Sequence, residues 1–145
     1  MSTLQRTRFP PKNHRCGMIV FRNRSFTEVL ILQTNTGYTF PQRYVTKDES
    51  NEKTAARALE QIGFQYTDVS RLYDYSYDDH TVRYFVGVLT EQARDKRFKP
   101  HRHVLDVVWE KDGSAQVKLG KKGAALLQNV YYDLRRDYFS DDDLD

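Results

Sequence analysis

Three observations on this 145-residue chain predict an α+β fold, a mixed β-sheet with helices packed on it. Apolar runs of strand length recur before residue 41 and again between residues 70 and 109. Two other segments repeat their apolar residues at helical spacing. The resulting order, β-β-β-α-β-β-β-α, puts amphipathic helices after sheet segments, and each must bury its apolar stripe on the sheet.

Residues 1–14, ending soon after Pro10-Pro11, form a basic arm expected to be flexible. Cys16 to Phe21 is a continuous apolar run and reads as a buried strand, closed by the turn residues Asn23, Arg24 and Ser25. Glu28 to Gln33 is a second strand, with a turn at Thr34 to Gly37. A short third strand ends at Phe40-Pro41, and a polar loop runs to Asp48-Glu49-Ser50. Residues 50–62 place Ala55, Leu59 and Ile62 at i, i+4 and i+7, a buried helical stripe. Gly63 stands where a left-handed residue ends such a helix. Ser70 to Tyr77 and Thr81 to Thr90 form a hairpin around Asp78-Asp79-His80, with Val82, Tyr84, Val86 and Val88 alternating inward. Val104 to Trp109 is the next strand, and Leu119 to Phe139 a long amphipathic helix with Leu126, Leu127, Val130, Tyr131 and Leu134 inward. The domain therefore spans residues 15–139, followed by an acidic tail at 140–145.

This length suits one domain with one core. A single cysteine, Cys16, excludes an intrachain disulfide, and no cysteine/histidine spacing suggests structural zinc. The N-terminus has no apolar run of a secretory signal, and no segment approaches the roughly 20 apolar residues of a membrane-spanning helix, so an intracellular protein, cytoplasmic or nuclear, is expected. The net charge of +3 is unevenly spread. Four of the 20 acidic residues lie in Asp141 to Asp145; without them 16 stand against 23 basic residues, a body of +7. Basic runs occur at Arg6, Arg8, Lys12 and Arg15, and at Arg94, Lys96, Arg97, Lys99 and Arg102. Such a body favours polyanions (nucleotides, RNA or acidic protein surfaces), or is simply a solvated surface.

The stretch Gly37 to Phe64 resembles the Nudix box, G-x5-E-x7-R-E-U-x-E-E-x-G-U with U apolar. Arg15 to Arg22, Leu30 to Gln33 and Thr81 to Val86 are similar to successive strands of asymmetric diadenosine tetraphosphate hydrolases. Phe40-Pro41-Gln42 with Lys47 to Ser50 is similar to the messenger RNA decapping branch. The resemblance implies a Nudix fold and a family whose box glutamates hold a divalent metal against a pyrophosphate. The box departs from the pattern at most chemistry-bearing positions. Anchored on Gly63, its glycine falls on Gln42, its upstream glutamate on Asp48, its arginine on Ala56 and its next glutamate on Arg57; the last pair becomes Glu60 and Gln61. A second register, anchored on the loop, matches Glu49 and Arg57 and puts Ala58 at the following glutamate. The first is preferred, because the second requires a deletion inside the helix, whereas loops absorb deletions more readily. In either, Glu60 is the one surviving metal-type carboxylate of the helix.

Magnesium is usually held through carboxylates together with substrate phosphates, and a lone glutamate beside an arginine is a poor cage for it. The leading expectation is therefore a catalytically impaired Nudix-fold domain with no resident metal, reused to bind a nucleotide, RNA or a protein partner. Lys53, Arg57 and Glu60 share a helix face at i, i+4 and i+7. Arg57 can grip a phosphate bidentately, or form an ordinary ion pair with Glu60. Gln42 and Arg43 in the box loop, and Lys99 and Arg102 in the basic run, are further expected ligand contacts. Tyr77, at the end of the Tyr73-Tyr75-Tyr77 alternation, and Tyr132 of the last helix are expected to stack on a base, or else to be half-buried core residues. The dinucleotide branch also uses a glutamate in the stretch similar to His101-Arg102-His103, where this chain has no carboxylate nearer than Asp106. Two alternatives stand beside the binding module. One is a divergent magnesium-dependent nucleoside-polyphosphate or cap hydrolase using Glu60 with Asp48 or Glu49. The other is a protein–protein adaptor.

Overall fold

The computed structural model describes residues 14–77, 82–89 and 103–138, with the side chains of 76 and 77 excepted. Seven strands make one mixed sheet: β1 (Arg15–Phe21), β2 (Glu28–Thr34), β3 (Gly37–Thr39), β4 (Gln42–Tyr44), β5 (Val69–Tyr77), β6 (Val82–Leu89) and β7 (Val104–Lys111). The main path runs β3-β2-β1-β6-β5, with β4 also on β1 and β7 also on β2. β1 and β6 pair in parallel from Arg15↔Val82 to Phe21↔Val88, and the other pairings are antiparallel. Helix α1 (Asn51–Glu60) covers one face and helix α2 (Asp112–Tyr138) the other.

Alternation along the strands divides the core in two. Cys16, Met18, Val20, Leu30, Leu32 and Phe85 point toward Ala55 and Leu59 of α1. Ile19, Phe21, Val29, Ile31, Val86 and Val88 point toward Leu126, Leu127, Val130 and Leu134 of α2. Strands buried on both faces explain why β1 reads as an uninterrupted apolar run instead of an alternating one.

Helix α1 begins where Ser50, in an extended conformation, caps it by accepting from the Lys53 amide at 3.1 Å. It ends with Gly63 at φ 97°, as expected for a left-handed residue closing a helix. The loop before it is not all irregular. Residues Gln42–Tyr44, expected as loop, form β4, held because Met18 donates to the Pro41 carbonyl at 3.0 Å and Val45 donates to that of His14 at 3.1 Å. Gly17 admits this close approach: a Cβ there would stand 2.2 Å from the Pro41 oxygen.

The last helix starts earlier than its periodicity suggests. A helical segment begins at Asp112 and is separated from the long helix by Gly120, at φ 81° and ψ −177°. The short segment buries Ala115 alone, so it carries almost no apolar signal. His14, read as part of the arm, is buried and packs on Asn51. Among the described residues no helix is long and apolar enough to cross a membrane.

Candidate functional site

The box loop, β4 and the start of α1 meet the first residues of β1 at one corner of the sheet. The ladder pairs Arg15 with Tyr44, Cys16 with Arg43 and Gly17 with Gln42. The Arg15 guanidinium stacks over the Tyr44 ring, 5.8 Å from its centre. Gln42 Nε2 donates to Thr39 Oγ1 at 2.6 Å, and the His14 ring contacts Asn51 Oδ1 at 3.1 Å. Four buried polar side-chain atoms of the described residues lack a hydrogen-bond partner: His14 Nδ1, Arg15 Nε, Gln42 Oε1 and Arg43 Nη1. All four belong to this corner. Buried polar groups are ordinarily satisfied, and such a cluster marks a place with unused hydrogen-bonding capacity.

Glu49 organises the loop. Its side chain is 6% exposed and takes a hydrogen bond on each oxygen, from Thr54 Oγ1 at 2.7 Å and from Arg57 Nη1 at 2.7 Å. The Arg57 hydrogen bond, aided by that of Thr54, holds the carboxyl below its ordinary range against the opposing effect of burial. Arg57 is thus paired with Glu49, not with Glu60 as the helix spacing suggests. The eight-residue step from Glu49 to Arg57 equals the step between the upstream glutamate and the arginine of the box pattern.

The other site residues fall as follows. Glu60 is half-buried, and Asp48 and Lys53 are exposed; none has an ion-pair partner among the described residues. Glu52, which sequence reasoning passed over, accepts from Tyr66 at 2.6 Å and pairs with Arg71 at 3.1 Å. Among the described residues no three His, Cys, Asp or Glu side chains stand close enough together to hold a metal ion. Both oxygens of Glu49 are engaged, by Thr54 and by Arg57, which leaves Glu60 and Asp48 as the box carboxylates without an ion-pair partner among the described residues. Cys16 is buried beneath the corner, and burial pushes its thiol up to about 11, so it is not a nucleophile at neutral pH.

Tyr73 and Tyr75 are tied to the last helix through their hydroxyls. The Tyr73 hydroxyl donates to the Asp133 carbonyl at 3.0 Å and to Asp137, and that of Tyr75 donates to the Asp133 carboxylate. The rings are half-buried against the α2 side of the core, where these bonds fasten β5 to α2. Tyr132 is 68% exposed on α2. The Tyr77 side chain, Lys99, Arg102 and the rest of their basic run lie outside the described residues. His14, read as part of the arm, and Arg15, named only in a basic run, were not singled out from the sequence for this corner. Their signal is the β1–β4 register, which appears only once residues 42–44 are known to pair.

No family sequence model matches the chain, nor does any curated protein sequence. Solved structures do. An Ap4A hydrolase from C. elegans in a binary complex superposes with a TM-score of 0.70 at 16% identity, covering 84% of this chain and 98% of the other. The Nudix hydrolase RenU from M. smegmatis gives 0.66 at 13% identity, covering 89% of each chain. The NUDIX domain of Shewanella oneidensis NrtR, solved with ADP ribose, gives 0.63 at 16% identity, covering 88% of this chain and 92% of the other. At such identities the likeness is one of fold, and the fold of this chain is that of the Nudix hydrolases.

Proposed function

We propose that this chain is a Nudix-fold binding domain that takes a phosphate-bearing ligand, a nucleotide or an RNA end, at the β4–α1 corner without hydrolysing it. The observation that carries this reading is Arg43. Its Nη1 is buried with no partner, beside three other unsatisfied polar atoms, while the neighbouring Arg57 is neutralised by Glu49. A guanidinium with free donors matches phosphate geometry bidentately. Lys53, exposed on α1, and the remaining donors of Arg57 would add attraction at the rim, and Gln42 Oε1 accepts from a ligand hydroxyl or amine. Lost hydrolysis is supported by the donor set: Glu49 is hydrogen-bonded to Thr54 and Arg57, and among the described residues Glu60 belongs to no group of three metal-ligating side chains.

Two measurements test this. The first incubates the protein with diadenosine tetraphosphate and with capped RNA, in magnesium and in manganese, beside Glu60→Gln. No turnover is expected; turnover that Glu60→Gln abolishes overturns the reading in favour of a divergent hydrolase. That second reading is favoured by Glu60 having no ion-pair partner among the described residues. The second measures nucleotide and short-RNA affinity at two salt concentrations for wild type, Arg43→Ala and Arg57→Ala. Wild-type binding should weaken as salt rises; Arg43→Ala should lose more affinity at low salt than Arg57→Ala and show the shallower salt dependence. Absence of binding at low salt refutes the phosphate site and leaves the protein-adaptor reading.

A further inference from the structure

A pocket opens at the other end of β1, beyond Phe21, whereas the box corner meets β1 at Arg15. The strand between them has seven residues, about 20 Å at 3.3 Å per residue. The pocket is an open depression of about 580 Å³, within the 300–1,000 Å³ common for small-molecule sites. Tyr131 from α2, half-buried, gives it an aromatic wall; Phe26 of the β1–β2 turn also lines it but is only 3% exposed, its ring packed on Phe21 and Tyr138. The Tyr131 hydroxyl is already spent, donating to the Phe26 carbonyl at 2.7 Å, so this residue offers a ligand its ring.

The rim is cationic. Lys111 at the end of β7 and Arg135 on α2 both line the pocket, both are exposed, and neither has an ion-pair partner among the described residues. Asp112 is the one acidic lining residue, and its carboxylate accepts from Gln116 at 2.7 Å. Other carboxylates on the packed elements are committed: Glu28 to Arg22, and Asp133 and Asp137 to Arg136. Two cations thus face one carboxylate around an aromatic wall. An inorganic anion would leave the wall unused, and a neutral hydrocarbon would leave the cations unmatched.

We propose that this pocket binds a small aromatic anion, its ring system against Tyr131 and its anionic group between Lys111 and Arg135. The site is independent of the β4–α1 corner and stands or falls separately from the phosphate reading.

The test uses the full chain and 8-anilinonaphthalene-1-sulfonate, an aromatic sulfonate whose fluorescence rises on binding, beside its uncharged relative N-phenyl-1-naphthylamine. The sulfonate should bind one per chain. Lys111→Ala combined with Arg135→Ala should weaken it by about tenfold or more, on the scale of a charge-assisted hydrogen bond, and leave the neutral compound unchanged. A Cβ at Gly113, which lines the pocket, meets nothing within 4 Å, so Gly113→Trp adds bulk there without a clash. That variant should lose binding while keeping the wild-type far-ultraviolet circular dichroism and urea midpoint. Equal sulfonate affinity in the double variant, several sites per chain, or unchanged binding by a folded Gly113→Trp overturns the proposal. So does displacement of the dye by a synthetic peptide of residues 139–145 at concentrations where 1-naphthoate does not compete, which would make the pocket a site for acidic chain segments.

Discussion

Replacing Glu49 by alanine should unfold the box loop's anchor, and the size of the effect follows from its contacts. Two short charge-assisted hydrogen bonds are lost, from Thr54 and from Arg57, each at 2.7 Å, together with a long one from Thr46 at 3.5 Å that adds little. Bonds to charged groups contribute about 1.5–3 kcal/mol apiece in favourable sites. The Thr54 hydroxyl keeps its second acceptor, the Ser50 carbonyl at 3.0 Å, and Arg57, whose side chain is 42% exposed, regains water. The lower end of the range therefore applies, and the loss should be about 2–3 kcal/mol, roughly 6–12 °C in Tm for a chain of this size. Urea denaturation followed by fluorescence of Trp109, which packs on Phe64 on the α1 side of the core, measures it. The pH dependence has a definite sign. The folded-state pKa of Glu49 is lowered from 4.5, so its contribution is present above pH 4.5 and is lost as pH falls through the folded value. The difference between wild type and Glu49→Ala should accordingly shrink below pH 4.5. A difference under about 0.5 kcal/mol at pH 7, or one that does not shrink on acidification, would refute the role assigned to this carboxylate.

Three further outcomes are expected. Ser50→Ala removes the α1 cap and should cost about 1 kcal/mol in the same urea experiment, with Ser50→Asp restoring it. Gly17→Ala drives a methyl into the Pro41 carbonyl at 2.2 Å, so it should destabilise by about 3 kcal/mol or more and raise hydrogen exchange at the Met18 amide. Tyr73→Phe removes the hydroxyl that bridges β5 to α2, and should cost about 1 kcal/mol while leaving ligand affinity at the β4–α1 corner unchanged in titrations.

Much of the architecture was legible because burial writes a period into the chain. The apolar runs of β1 and β2, the alternation in β6 and the stripe Leu126, Leu127, Val130, Leu134 are direct records of which face is buried. The elements that escaped notice bury little. β4 has three residues, two half-buried and one exposed, and exists because its neighbours hold it against β1. The segment from Asp112 buries only Ala115 and is defined by the break at Gly120. The site was legible in composition and not in pairing. Helical spacing alone made Glu60 the natural partner of Arg57, since residues three apart are neighbours on a helix. The loop instead folds Glu49 back onto the helix, eight residues away, and a single-element rule has no means to weigh that contact.

The sequence alone determined the layered α+β fold and which carboxylates α1 carries, Glu52 and Glu60, because hydrophobic period and residue identity are local properties. Only the tertiary structure decided what the remaining charges do. Which cation neutralises Glu49, which hydroxyls are spent on α2, and which polar atoms of β1 and β4 stay unpaired all depend on residues distant in the chain being brought within 3 Å. At that range a hydrogen bond to a buried charge outweighs any preference the helix itself could express.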